Sequence, residues 1–150
     1  MLQNNDLDRG SVDIHNQEVV KISSLQNDEV LCELLECSPE TDIVLCGVVD
    51  IHGYTYRPNV MLMCDWNELP SFAAIEYILL MRSQLYFIVQ PWKTHYFDAH
   101  YQAYIVTNDT TQSFELQRHE DLCDHRPVHV VQSYARADNR WYIPIRFELC

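Results

Sequence analysis

A chain of 150 residues, 47% of them apolar and 21% charged, has the composition of one folded domain, long enough for folding to remove roughly 70% of the extended chain's surface from water. Ten Lys and Arg against 22 Asp and Glu leave a formal charge of -12, which disfavours nucleic acid and anionic lipid as partners and favours a basic protein segment. No apolar run reaches the roughly 20 residues that span a bilayer, no apolar leader stretch opens the chain, and the six Cys form no C-x-x-C pair; these features point to reduced thiols, no disulfide framework, no membrane, and an intracellular protein, nuclear or cytoplasmic.

Residues 1–17, MLQNNDLDRGSVDIHNQ, are polar and without periodicity, and are expected to form a flexible N-terminal arm ahead of a single β domain over 18–150. The segment 27–37, NDEVLCELLEC, reads as one short helix, with Asn27 as N-cap, acids in the first turn and Val30, Leu31, Leu34 and Leu35 as an apolar stripe. Pro39 ends it, and a strand is the competing reading for so short a run.

After Pro39 the pattern changes to short runs rich in Val, Ile, Tyr, Phe and Trp, predicted as strands over 43–51, 59–66, 73–81, 84–92, 100–107, 112–118, 128–134 and 140–149. Their links carry turn chemistry: HGYTYRPN, NELPS, MRSQ, TNDTTQ and ARADNR. Links this short favour antiparallel neighbours, so the expected fold is mainly β, a small antiparallel barrel or two packed sheets, with one short helix near 27–37. Strict alternation places Ile75, Tyr77, Leu79 and Met81 on one face, Leu85, Phe87 and Val89 on another, and Trp141, Ile143, Ile145 and Phe147 on a third. Pro144 should mark an edge or a bulge.

Three stretches carry possible chemistry. HEDLCDHRPVH (119–129) gathers three imidazoles and a thiol. On a helix His119 and Cys123 would lie about 40° apart, with His125 and His129 on the opposite side. In extended chain Cys123 and His125 could chelate as an i, i+2 pair, but Pro127 interrupts the strand, and the spacing matches no named zinc pattern. The bland alternative is a solvated turn of Glu120, Asp121, Asp124 and Pro127 with Leu122 plugging the core. KTHYFDAHY (93–101) offers Lys93, His95, Asp98 and His100 as a general acid and base, but no phosphate loop, nucleophile elbow or activated-cysteine signature accompanies them. His95, His100, Cys123 and His125 are therefore the residues of a metal- or His-dependent hydrolase or nuclease, the alternative to a non-enzymatic domain. Third, Tyr54, Tyr56, Trp66 and Trp92 are candidates for an aromatic rim that would cage a methylated lysine or line a peptide groove; the competing view of these rings is ordinary core.

The pieces Tyr54 to Pro58, Pro70 to Ile75, Tyr86 to Val89 and Phe97 to Tyr104, closed by HEDLCDHRPVHVVQSY and WYIPIRFEL, resemble an uncharacterised C-terminal β domain of animal proteins, some derived from mobile elements, over roughly 100 residues. The strand order also resembles, more generically, small chromatin barrels of the bromo-adjacent-homology or SH3-like sort. The first resemblance implies a β fold and no catalytic residues, and it supports the turn reading of HEDLCDHRPVH. The expectation is thus a non-enzymatic interaction or assembly module for a basic protein segment, with no cofactor and no metal. The oligomeric state is left open, and Cys150 is expected to be a free, oxidisable thiol.

Overall fold

The computed structural model describes residues 12–132 and 140–145. Two tight turns show how the strands are laid side by side. His52 and Gly53 have φ of 51° and 89°, and Arg82 and Ser83 have φ of 53° and 64°. Two successive positive φ values make the mirror-image turn whose twist matches that of paired strands, so each pair joins a two-residue hairpin. They connect β2 (Asp42–Ile51) to β3 (Tyr54–Tyr56) and β5 (Pro70–Met81) to β6 (Gln84–Asp98).

The other strands are β1 (Val12–Lys21), β4 (Met61–Trp66), β7 (Ala103–Asn108), β8 (Glu115–Gln117), β9 (Asp124–Val128), β10 (Val131–Gln132) and β11 (Trp141–Pro144). The pairings are antiparallel, in the order β1-β2-β5-β6-β7-β11-β10, with β3 on β2, β4 between β5 and β9, and β8 on β6. The fold is mainly β, as the short links require, and the strands pack without closing into a barrel. β6 belongs to three ladders: Gln84–Pro91 pairs with β5, Phe87–Val89 also with β8 on its other edge, and Trp92–Asp98 with β7.

One helix, α1 (Asp28–Leu35), stands where the apolar stripe placed it. Asn27 occupies the N-cap position, but its side chain caps nothing; only its carbonyl accepts, from Leu31 N–H at 3.1 Å. Leu31 and Leu35 are buried with Ile22, Ile43, Leu79, Met81 and Ile88 in one core. A second core, on the other face of β5 and β6, holds Cys46, Val49, Tyr56, Leu62, Ile75, Ile78, Phe87, Val89 and Leu122. A third, under β7 and β11, holds Met61, Phe72, Val106 and Ile143. Fully burying one such side chain stabilises the fold by roughly 1.5–3 kcal/mol.

Several expectations need correction. Val12–Gln17, within the expected arm, is part of β1 and pairs with β2 from Val12↔Ile51 onward; residues 1–11 lie outside the described residues. Ile75 does not share a face with Tyr77, Leu79 and Met81, because the β5–β6 register shifts between Ile75 and Tyr77: Ile75 enters the core of Tyr56, the other three the core of α1. A bulge inserts one residue and inverts the alternation beyond it. The strand expected at 112–118 is only Glu115–Gln117, and the one expected at 128–134 is broken: β9 ends at Val128, β10 covers Val131–Gln132, and 133–134 lie outside the described residues. Leu85, Phe87 and Val89 do face one core together. Pro144 pairs with Ala103 at the end of β11, beyond the last residue that β10 reaches, where a missing N–H costs nothing. Phe147 lies outside the described residues.

Candidate functional site

Tyr56 organises the HEDLCDHRPVH segment. Its ring is fully buried and tilted against Phe87 at 5.2 Å, while its hydroxyl donates to the His125 carbonyl. The 3-10 turn His119–Asp121 turns the chain over this ring, Leu122 drops into the core at 7% exposure, and β9 then pairs with β4. His119 meets Tyr56 edge-on at 5.5 Å, stacks on His125 at 4.4 Å and lies 6.4 Å from His52. Its Nε2 is buried and finds no hydrogen-bond partner among the described residues. Desolvation, then the neighbouring His125 and His52, pull its pKa down to about 4, against a smaller raising effect of Glu120. The turn reading therefore holds for 119–121 and for the Leu122 plug, but 124–128 is strand, and His119 is a half-buried packing residue, not an outside loop residue.

Two imidazoles stacked nearly parallel, 14° apart, cannot both aim a ring nitrogen at one ion. Among the described residues no three His, Cys, Asp or Glu side chains are grouped so as to hold a metal. Nor do His95, His100, Cys123 and His125 form one site. His95 sits at the register shift of the β6–β7 ladder with its Nε2 2.8 Å from Thr107 Oγ1. His100 lies in the turn that follows, its ring on Tyr101 at 4.7 Å, and its backbone N–H donates to Asp98 Oδ1 at 2.9 Å. Cys123 is an exposed bend residue beside β9, which carries His125.

The aromatic rim is dispersed as well. Tyr56 is core, Tyr54 sits exposed on β3, and Trp92 meets Trp141 edge-on at 5.9 Å. Trp66 is 51% exposed and meets Tyr104 edge-on at 6.2 Å. Around that pair, Met63, Phe72, Val128 and Ile143 line a groove of about 300 Å³, bordered by the Asp124–Arg126 ion pair at 3.1 Å. Phe72 on β5 and Tyr104 on β7 have no signal in the sequence as groove residues, and Ile143 on β11 reads there only as one face of a strand, because the order of strands does not show that β4, β5, β7 and β11 meet here. A larger cleft of about 610 Å³ lies between β4 and β8, lined by Cys64, Asp65, Glu115, Arg118 and Asp121. Burial first, then Glu115, Asp65 and Cys123, push the Cys64 thiol up to about 12, so it is a poor nucleophile.

The feature of widest extent is the edge formed by β1. Nine of its ten residues, all but Asn16, pair with β2 on one side, and no strand pairs with the other side among the described residues. Ile14 and Val20 pack inward, and the rest of the strand is exposed. Asp13 and Glu18 on β1, with Asp42 and Asp50 on β2, make the edge acidic. Lys21 is engaged by Asp42 at 3.2 Å and the Glu40 carbonyl at 3.3 Å. Asp50 accepts from Thr55 Oγ1 at 2.6 Å and lies 3.3 Å from His15 Nε2; these contacts hold its carboxyl below the usual range.

Compared with known proteins, the chain matches no family model, no curated protein sequence and no solved structure. The resemblance drawn from Tyr54 to Tyr104 rests on its sequence motifs alone. No helix of the described residues is long and apolar enough to cross a membrane.

Proposed function

We propose that this domain is a non-enzymatic protein-interaction module that takes a basic, extended protein segment along β1 as an added strand, for assembly within a larger complex. The observation that carries the reading is the ten-residue outer strand with carboxylates on and beside it. An unpaired strand edge offers a row of backbone donors and acceptors that an incoming strand satisfies, and side chains then select the partner. Here the selection is by charge. Asp13, Glu18, Asp42 and Asp50 disfavour a second copy of the same acidic chain, and the formal charge of -12 steers a cationic segment toward it. The placement of His95 and His100 on the β6–β7 hairpin, away from the β9 segment of Cys123 and His125, supports a reading without catalysis.

A fluorescent, extended Lys- and Arg-rich peptide titrated against the domain tests this. Affinity should fall as salt is raised, and the double charge reversal D13K/E18K should weaken it about tenfold. Binding indifferent to salt and to that reversal, or no binding at all, would sink the proposal.

A further inference from the structure

Helix α1 ends because Glu36 takes the left-handed conformation, φ 53° and ψ 55°. The Cys37 N–H then reaches back to the Cys32 carbonyl at 3.1 Å, and the Glu36 N–H to the Glu33 carbonyl at 3.4 Å. This is the Schellman closure, in which the residue two beyond the helix cap contacts the residue three before it, commonly through two apolar side chains. In this chain both positions are cysteine, and Cys37 lies close enough to Cys32 to help raise the pKa of its thiol. Both are half-buried at the margin of the core around Ile22, Leu31 and Leu35, so a small reagent reaches them.

We infer that Cys32 and Cys37 are a modification site: a dithiol that closes reversibly to a disulfide at the C-terminal end of α1. The backbone bond from residue 37 to residue 32 already folds the two Cα atoms toward the separation of about 4.4–6.8 Å that a disulfide spans. The other described thiols are placed less well. Cys46 is buried beneath the sheet, and Cys64 is held protonated by its burial. Cys123 is exposed on a bend near Cys64, whose raised pKa makes it a poor partner in exchange.

The co-reactant is a low-molecular-weight disulfide of the glutathione class. Cys37 as thiolate attacks one of its sulfurs, the small S–S bond breaks, and one small thiolate leaves. Cys32 then gives its proton to solvent and attacks the Cys37 sulfur, expelling the second small thiolate. Each leaving thiolate takes up one proton. Two protein thiols are thereby oxidised, and one small disulfide is reduced to two thiols. Cys37 attacks first because desolvation, together with Cys37 and Asp28 beside it, keeps the Cys32 thiol protonated. Once closed, the link holds the last turn of α1 against fraying and keeps Leu31 and Leu35 on the sheet.

The experiment is peptide mass mapping of the full chain after equilibration in glutathione buffers of rising oxidised-to-reduced ratio, with free thiols trapped by an alkylating reagent. The Cys32–Cys37 link should accumulate before any other intramolecular pairing, carry a mass lower by two hydrogens and disappear with dithiothreitol. C32S and C37S should each lose it and retain a glutathione adduct on the remaining cysteine. The thermal midpoint of the unaltered chain should rise on oxidation, and that of either variant should not. Recovery of Cys32 and Cys37 as two free thiols or two separate glutathione adducts under oxidising conditions, or of Cys32 linked to another cysteine, overturns the inference. The mapping on the unaltered chain decides this without either variant.

Discussion

His119 shows what one residue contributes that its residue type does not announce. An imidazole between Tyr56 and His125, with its Nε2 buried and without a partner among the described residues, is stable there only when neutral. The folded-state pKa of about 4 lies below the unfolded value near 6.5, so the unfolded chain binds the proton more readily. His119 therefore imposes no penalty above about pH 6.5, and folding is progressively destabilised as pH falls from there toward 4. Because the ring is partly exposed, the loss is discounted to about 1–2 kcal/mol. Urea unfolding at pH 7 and pH 4.5 checks it: H119F should lose less stability on acidification than the unaltered chain by about that amount. Equal losses would show that the His119 imidazole takes up its proton as readily in the folded chain as in the unfolded one.

At the scale of the element, β1 and β2 turn together at one point. Asn16 has φ 59°, and Gly47 stands opposite it in register. On β2, Ile43 and Leu45 face the core of α1, whereas Val49 and Ile51 face the core of Tyr56. The alternation thus changes face across Gly47, which lets one long hairpin arm cover parts of two cores. A Cβ at Gly47 would lie 2.9 Å from the Asn16 Cβ, closer than such atoms approach. G47A should accordingly destabilise by about 1–3 kcal/mol, measured by chemical denaturation. Adding N16G, which removes the opposing Cβ and the left-handed strain, should recover much of the loss. If the double variant is no more stable than G47A alone, the clash is not the cause. The register shifts in β5 and β6 act in the same way, and they are why the strand centres were readable from the sequence while several facings were not.

At the scale of the molecule, the charge of -12 on 150 residues means that folding brings like charges together. Raising ionic strength from low to moderate should screen this repulsion and stabilise the fold by roughly 1 kcal/mol, seen as a rise of about 4 °C in the thermal midpoint. A midpoint that stays level or falls would mean that favourable pairs such as Lys21–Asp42 and Asp124–Arg126 outweigh the repulsion. The same surplus of acid carries the proposed function, since it surrounds the outer strand that a basic segment would join.

What the sequence determined by itself is the local layer. The α-helix over Asp28–Leu35, most strand centres, the Leu122 plug and the Pro144 edge follow from periodicity, turn residues and proline, which act over a few neighbours. What only the tertiary structure decided is which groups meet. It moved Tyr56 from the rim into the core, stacked His119 on His125, kept His95 and His100 on a separate hairpin, set Trp66 against Tyr104, and left β1 with no outer partner strand among the described residues. The physical reason is that a one-residue bulge or a left-handed residue costs little locally yet inverts every side chain beyond it, and only the burial of distant partners selects which positions take that cost.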